Sequence, residues 1–559
     1  MAAIAPTDLQ RVLTSKGYAI TKASLTEKQM AQLRKDLTMK PLDHFAKETE
    51  SFPIYYESKT RFYVPRHWGY KTFGEPEATI VSEGLPFSDK IRFRTTFPPH
   101  AFQVEIMKSF IDKGANGLIC VPCGYGKTFM ALHIAVQLKR RFLIVVDKEF
   151  LMNQWKAEIE NFIEGATVGI LQAGTCQVGS ETTVQEYSVA DLKQMAKDAN
   201  LKVSGSKEVL QQRLQEAGID ITPKRTTKQY DITICMIQTV CRQEYPEGFF
   251  SEYGFTIFDE CHHLGASYFC AALKTIQTKW MLGLSATPDR DDGMSCIFEY
   301  YLGEAVYRNT QRAPDKDAVV KAIWFHSDDP IYAEVPVNYR GETVTATLLN
   351  NVSGFEPRNQ KVLEHMREYI EDPNRFILLI SDRISQLEWF ETALKAMYPA
   401  YKVGYYIGGM KQTLLDENAA TCQLLLATYQ MVAEGFSVKK LNTIVLTTPR
   451  KKVEQASGRI FRERIDERKV APHIIDIIDS HDCHKRRWAV RQKFYKDSQY
   501  TIQHIDKPKT KKELPMDQPL FRFSKAEPKA NADPKANADP KAEPKANALE
   551  PKANAADAK

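Results

Sequence analysis

Lys127 and Thr128 close the run Val121-Pro-Cys-Gly-Tyr-Gly-Lys-Thr128. A lysine and a hydroxyl placed just after two glycines can hold a chain of phosphates. Gly124 and Gly126 leave no Cβ in the way of a triphosphate approaching the backbone. Lys127 can reach the β- and γ-phosphates, and the Thr128 hydroxyl can ligate Mg²⁺. Cys123, Gly124, Tyr125, Gly126, Lys127 and Thr128 are therefore candidate nucleotide contacts. The run departs from G-x-x-x-x-G-K-[ST] at Val121, which stands where the first glycine is expected. A second group is Asp259-Glu-Cys-His262. Asp259 suits a hold on Mg²⁺, and Glu260 can orient and deprotonate an attacking water. A third is Gln455-Ala-Ser-Gly-Arg-Ile-Phe-Arg462. Arg459 and Arg462 are three apart, so on a helix they would share a face, and a fixed guanidinium fork suits the charge of a transferring phosphoryl group.

Such chemistry needs strands that end at the reacting groups. The apolar run Asn116–Cys120 precedes the phosphate loop, and Phe129-Met-Ala-Leu-His-Ile-Ala-Val136 after it reads as a helix whose dipole favours an anion at its start. Similar apolar runs are Arg141–Val146, Ile232–Ile237, Phe255–Phe258 and Met281–Ser285, with helical patterns between them. Strands apolar on both faces predict a covered parallel sheet. A second series begins near Arg358, with strands at 375–380, 402–407, 423–427, 443–447 and 473–478. The fold class is thus α/β, with two parallel-sheet lobes in tandem, at 91–310 and 358–500. Residues 311–357 connect them, with strand-like alternation at Glu342–Thr347.

Residues 1–90 read as a small α+β unit, helix-rich from Leu9 to Leu37, with short strands at 52–56 and 61–64. Its mixture of Arg and aromatics at Arg61–Gly69 suits either a core with snorkelling arginines or a grip on nucleic acid. The lobe rhythm breaks at 184–222, where two helical patterns flank Gly205. Ser188 can cap the first, with Asp191 three residues on. Leu192, Met195 and Ala199 share one face, and Val209, Leu210 and Leu214 another. The stretch Lys485–Lys496 is a basic helix whose Trp488 and Phe494 are expected to pack on the second lobe. Residues 501–524 read as a basic linker. From 525 to 559 a Pro-Lys-Ala-Asn-Ala repeat has too little apolar content to build a core, so disorder is expected.

At 559 residues the chain exceeds one hydrophobic core, so about three or four domains are expected. A net charge of +6 permits nucleic-acid binding without demanding it. The ten cysteines have no disulfide rhythm, and Cys120-x-x-Cys123 lacks a second pair to complete a zinc site. The start Met1-Ala-Ala-Ile-Ala-Pro has no basic region or apolar core of a secretory signal, and no apolar run approaches bilayer length. An intracellular protein is the expectation.

Read in order, the three groups and the strands between them resemble the motif set of superfamily 2 helicases over about residues 98–480. Gly124–Thr128 matches motif I, whose family form lacks the first glycine. Asp259–His262 matches the DEAH-like motif II, Ser285-Ala-Thr287 motif III, and Gln455–Arg462 motif VI. The resemblance implies two RecA-like lobes, ATP and Mg²⁺ as cofactors, and ATP hydrolysis. It places Gln103 at the adenine and gives Lys127, Asp259, Glu260, Gln455, Arg459 and Arg462 the catalytic roles. It also implies nucleic-acid contacts at Lys148, Gln238, Thr239, Ser381 and Thr428. Coupling roles fall to Ser285, Thr287 and Gly435, although Ser437 replaces the Asp that many relatives carry in motif V. Leu282–Gly293 and Val64–Gly69 narrow the likeness to DNA-dependent helicases of large DNA viruses and phages, the poxvirus transcript-release helicase among them. Those relatives imply duplex, forked or single-stranded DNA as partner, with RNA–DNA hybrids and RNA polymerase in view, and residence in cytoplasm, viral factory, nucleus or virion. The 184–222 insertion resembles a SAP module, which implies phosphate contacts from Lys202, Ser204, Lys207 and Arg213. An RNA helicase, a duplex translocase that does not unwind, and a non-catalytic DNA-binding scaffold remain as alternatives.

Overall fold

Strands apolar on both faces need cover on both sides, and the chain supplies it twice. The computed structural model describes all residues except 1–8, 43–49, 95, 97, 123, 186, 222–223, 291, 310–313, 434–437, 462, 464–467 and 509–559. The first sheet runs Thr175–Cys176, Val168–Gln172, Ile232–Met236, Phe142–Val146, Phe255–Phe258, Trp280–Ser285, Asn116–Cys120, Ala305–Arg308. Its neighbours pair in parallel apart from the Thr175–Cys176 edge. Phe258 lies opposite Gly283 and Ser285 opposite Cys120. The strands preceding the phosphate loop, the Asp-Glu pair and Ser285-Ala-Thr287 are therefore adjacent and end together. Ligands of open parallel sheets bind outside such carboxyl ends.

The second sheet has seven strands, all parallel: Val403–Tyr406, Leu424–Thr428, Ile377–Ser381, Thr443–Leu446, His473–Asp479, Val319–Phe325, Thr501–Ile505. The two RecA-like lobes expected from the strand series are present. Their boundaries need correction, however. Val319–Phe325, which falls in the expected connection 311–357, sits inside the second sheet between His473–Asp479 and Thr501–Ile505, and the latter strand lies in the expected basic linker. The alternation at Glu342–Thr347 does not make a strand. A helix, Thr345–Gly354, begins there because Leu348 and Val352, one turn apart, pack with Tyr332 and Phe355. The rest of the linker beyond 508 and the repeat tail lie outside the described residues.

The N-terminal unit is α+β as expected, but Leu9–Leu37 is not mainly helical. Arg11–Thr14 and Gly17–Thr21 form an antiparallel hairpin, and only Glu27–Asp36 is an α-helix. Gly17 decides the turn: its φ is +112°, and a Cβ there would come within 2.6 Å of the Val64 carbonyl oxygen. The hairpin joins Arg61–Val64, Tyr56–Glu57 and Ala78–Thr79 in a five-stranded sheet. Tyr18, Phe62 and Trp68 share one core with Leu118, Leu143 and Tyr301 of the first lobe. Arg66 fixes this junction. It is 1% exposed and donates to the Lys279 and Thr278 carbonyls at 2.9 and 2.6 Å and to Asn116 Oδ1 at 3.2 Å. The core reading of Arg61–Gly69 thus accounts for this arginine.

The 184–222 insertion leaves the first lobe on a two-stranded ribbon, Ser180–Gln185 with Lys224–Gln229. Its helices, Val189–Asp198 and Lys207–Glu216, bury Leu192, Ala196, Leu210 and Leu214 in a core of their own. Ser188 caps the first as expected, in a reciprocal pair with Asp191. Val209 does not join Leu210 and Leu214; it is 43% exposed.

Candidate nucleotide site and interlobe cleft

The phosphate loop turns on two glycines with left-handed backbone, Gly124 (φ +89°) and Gly126 (φ +79°). Gly126 is the N-cap of helix Lys127–Leu138, so that helix presents its free N–H groups beside Lys127 and Thr128. A Cβ on Gly126 would lie 2.5 Å from Gln103 Nε2. Gln103 itself is buried and bridges protein atoms: Nε2 donates to the Tyr125 carbonyl at 3.1 Å, and Oε1 accepts from His100 N at 2.9 Å. Its clear role here is to hold the loop at Tyr125. Cys123 lies outside the described residues.

Lys127 Nζ meets Glu260 Oε1 at 3.1 Å, with both side chains 12% exposed. Glu260 has φ +43°, uncommon for a non-glycine residue, which sets its side chain back toward the lysine. Burial disfavours the Glu260 charge, but the Lys127 ammonium and His262 outweigh it and hold the carboxyl well below its ordinary range. Asp259 is the opposite case. Burial, and then the neighbouring Glu260 charge, push it up to about 6. Trp155 Nε1 donates to Asp259 Oδ2 at 2.8 Å, and Glu260 N donates to Asp259 Oδ1 at 3.0 Å. Trp155 is buried in helix Glu149–Phe162 and was not among the sequence candidates, because an aromatic at a core spacing carries no chemical signal of its own.

From Glu260 a polar chain runs to the second lobe. Glu260 Oε2 lies 3.4 Å from His262 Nδ1, which lies 3.1 Å from Ser285 Oγ. Thr287 N donates to Ser285 Oγ at 3.1 Å, and Gln455 Nε2 donates to Thr287 Oγ1 at 3.2 Å. A cavity of about 460 Å³ opens there, lined by His262, Thr287, Arg290, Lys452, Glu454 and Gln455. The structure thus brings Lys127, Glu260, Ser285, Thr287 and Gln455 into one connected set.

Arg459 is placed differently from expectation. The segment is not one regular helix: Glu454–Ser457 is α-helical and Gly458–Ile460 is 3₁₀. Arg459 is buried, and its Nε donates to the Val432 carbonyl at 2.8 Å. Arg462, Gly435 and Ser437 lie outside the described residues.

Among the residues expected at nucleic acid, Lys148 immediately precedes helix Glu149–Phe162, and burial lowers its pKa. Gln238 Nε2 donates to the Asp147 carbonyl at 2.7 Å, which draws those two segments together. Thr239 is buried, and Thr428 ends its strand half-buried. Ser381 needs correction. It is fully buried, donates to Gln386 Oε1 at 2.6 Å and accepts from Arg383 N at 2.9 Å, so it shapes the loop rather than facing a partner. Next to it, Asp382 pairs with Arg450, whose Nε donates to Oδ2 at 2.9 Å. In the insertion, Lys202 and Ser204 are exposed. Arg213 is turned inward: one guanidinium nitrogen donates to the carbonyls of Lys202 and Ser204. In the basic helix Asp482–Asp497, Trp488 is buried as expected. Arg491 is buried too, paired with Asp476 at 2.8 Å.

A family model described as the res subunit of type III restriction enzymes matches residues 96–290. A protein of Acanthamoeba polyphaga mimivirus, named as an ATP-dependent RNA helicase, is 27% identical over 89% of this chain and 87% of its own length. One from African swine fever virus (strain Badajoz 1971 Vero-adapted), named in the same way, is 24% identical over 73% of this chain and 74% of its own. Among solved structures, Mss116p bound to single-stranded RNA and AMP-PNP aligns over 74% of this chain and 76% of that chain, at 14% identity and a TM-score of 0.47. With two RecA-like lobes and the motif set in order, these likenesses support a superfamily 2 helicase, an enzyme that hydrolyses ATP. Within that superfamily the chain is similar to helicases of large DNA viruses.

Proposed function

We propose that the protein uses ATP hydrolysis to move along or unwind DNA. The observation that carries this reading is the chain of contacts from Lys127 through Glu260, His262, Ser285 and Thr287 to Gln455, because it ties the phosphate loop of one lobe to the other. In this reading a bound triphosphate draws Lys127 away from Glu260. The Glu260 carboxylate then loses its strongest neighbouring charge and becomes a better base for the attacking water. Thr128 and Asp259 fit Mg²⁺. A carboxylate and a hydroxyl beside substrate phosphates is a donor set that Mg²⁺ takes. Bound there, the ion would neutralise charge on the phosphates. Gln455 and Arg462 close from the second lobe onto the transferring group, while Arg459, held on the Val432 carbonyl, positions their segment.

DNA is favoured over RNA by the insertion, an independently cored helical pair on a ribbon, with Lys207 at the start of its second helix and Lys202 in the segment before it. Its SAP-like reading makes it a grip on duplex phosphates. A second reading, RNA as the track, is favoured by the printed names of the viral relatives. Two measurements test both. Lys127→Ala should abolish ATP turnover and leave nucleic-acid affinity nearly intact; sustained turnover would refute the site. ATPase stimulation by duplex DNA, single-stranded DNA and RNA, measured side by side with and without residues 184–222, decides the track. Stimulation by RNA alone overturns the DNA reading.

A further inference from the structure

Between strand Val319–Phe325 and helix Thr345–Gly354 the chain makes an excursion that ends in a tightly bonded tip. Val337 bridges Thr343, Asn338 N donates to the Glu342 carbonyl at 2.9 Å, and Val344 N donates to the Pro336 carbonyl at 2.8 Å. The Asn338 side chain accepts from Arg340 N and Glu342 N at 2.9 and 3.0 Å and donates to Glu342 Oε2 at 2.8 Å. Gly341, with φ +76°, completes the turn. This fixed loop holds Tyr339 in the open, 89% exposed, with the Arg340 guanidinium 5.0 Å from its ring centre. Ile331, Val335 and Val337 along the same excursion are also exposed. So many bonds around a ring that packs on nothing larger than its neighbour do not serve the core.

The base is equally firm. Tyr332 is fully buried, and its hydroxyl donates to Asp479 Oδ1 at 3.1 Å. Helix Thr345–Gly354 is held by Arg383, whose Nε donates to Asn350 Oδ1 at 2.6 Å. Arg383 follows Asp382 in the loop after strand Ile377–Ser381. Because all seven strands of this sheet are parallel, the excursion and the loops carrying Asp382, Thr428 and Arg450 leave the sheet at the same edge. A rigid ring with a guanidinium beside it is the chemistry of base stacking, which tolerates any base sequence. Apolar side chains next to such a ring suit a wedge at a strand junction.

We infer that the hairpin tip at 336–344 is a nucleobase-stacking pin, with Tyr339 resting on an unpaired base at a strand end or fork. The inference rests on the nucleic-acid motor reading and adds a contact to it. The test uses the full chain with fluorescent forked DNA and a single-stranded RNA of matched sequence, without ATP. Tyr339→Ala should weaken binding of at least one probe about tenfold, while Tyr339→Phe, which keeps the ring, binds like wild type. An iodouracil at the unpaired position should photocross-link to the peptide containing Tyr339, and the probe that does so identifies DNA or RNA. ATPase without nucleic acid should be unchanged in both variants, so failure of the motor reading appears separately, as wild type with no turnover. Unchanged affinity in Tyr339→Ala together with a cross-link elsewhere overturns the pin, and is the result expected if the tip serves a protein partner.

Discussion

Arg358 and Asp479 form an ion pair with neither side chain exposed to solvent. Arg358 Nε and Nη2 donate to the two Asp479 oxygens at 2.6 and 2.9 Å, and Nη2 also donates to the Thr447 carbonyl at 2.8 Å. Replacing Arg358 by Met keeps most of the buried volume and removes the charge. A buried carboxylate left without its partner costs about 3–5 kcal/mol. For a lobe of this size each kcal/mol lowers Tm by about 2–4 °C, so a fall of about 6–20 °C is expected in a thermal melt of the full chain. The pH dependence carries a sign. Burial alone would raise the Asp479 carboxyl, but Arg358 outweighs it and holds the pKa below the ordinary value. In wild type Asp479 therefore contributes stability that is present above the unfolded pKa and is lost only as pH falls through the lower folded one. Without Arg358 the folded pKa rises above the unfolded one, and the penalty grows as pH rises. The gap between the two proteins should be widest near pH 7 and should close toward pH 4. Asp479→Leu added to Arg358→Met should recover much of the loss. A single variant within about 1 kcal/mol of wild type at pH 7, or a gap that widens in acid, would falsify this account of the pair.

Trp155→Phe removes the indole donor from Asp259. A bond to a charged group is worth about 1.5–3 kcal/mol, so the Mg²⁺ needed for half-maximal ATPase should rise about ten- to a hundredfold and Mn²⁺ binding beside a non-hydrolysable nucleotide should weaken in parallel; an unchanged metal requirement removes Trp155 from the site. Gln455→Ala breaks a neutral bond worth about 0.5–1.5 kcal/mol, and kcat should fall about two- to tenfold with KM for ATP little changed, whereas an equal rise in KM would place Gln455 on the ground-state nucleotide. Burial holds His67 and His484 down to about 4, and their unfolded values lie near 6.5. Between these limits the unfolded chain binds more protons, so stability should fall as pH drops from about 6.5 to about 4. His484→Met should flatten that decline, and an unaltered slope would remove His484 from it.

The lobes were legible because runs such as Phe142–Val146 and Ile474–Ile478 are too apolar for anything but a sheet covered on both faces. The phosphate loop and the Asp-Glu pair were legible because glycine, lysine and carboxylate at strand ends have few structural uses together. What escaped the sequence was set by contacts distant along the chain. Val319–Phe325 looks like part of a connector until His473–Asp479 and Thr501–Ile505 flank it. Ser381 looks like an exposed hydroxyl until Gln386, five residues on, accepts its hydrogen bond. Arg213 looks like a phosphate ligand, yet two carbonyls of its own loop lie within reach. Trp155 could have been suspected only from its position, seven residues after Lys148 on a helix that must pass the Asp259 strand.

The Lys127–Glu260 pair also bears on how the enzyme avoids idle chemistry. With the two side chains paired and nearly shielded from water, the Glu260 carboxyl is held at a low pKa and is a weak proton acceptor. In the reading proposed above a triphosphate competes for the same ammonium, so Glu260 should become a stronger base only when substrate is in place. Glu260 also faces His262, whose ring nitrogen leads through Ser285 and Thr287 to Gln455. A shift of the second lobe that pulls Gln455 from Thr287 would loosen the far end of that chain while the Lys127 end is being rearranged by phosphate. The carboxylate is thus gripped from two sides by groups that answer to different partners. That arrangement suits an enzyme in which hydrolysis answers to both the nucleotide and the position of the second lobe, and the fall in kcat expected for Gln455→Ala with Lys127 left intact reads the second of these alone.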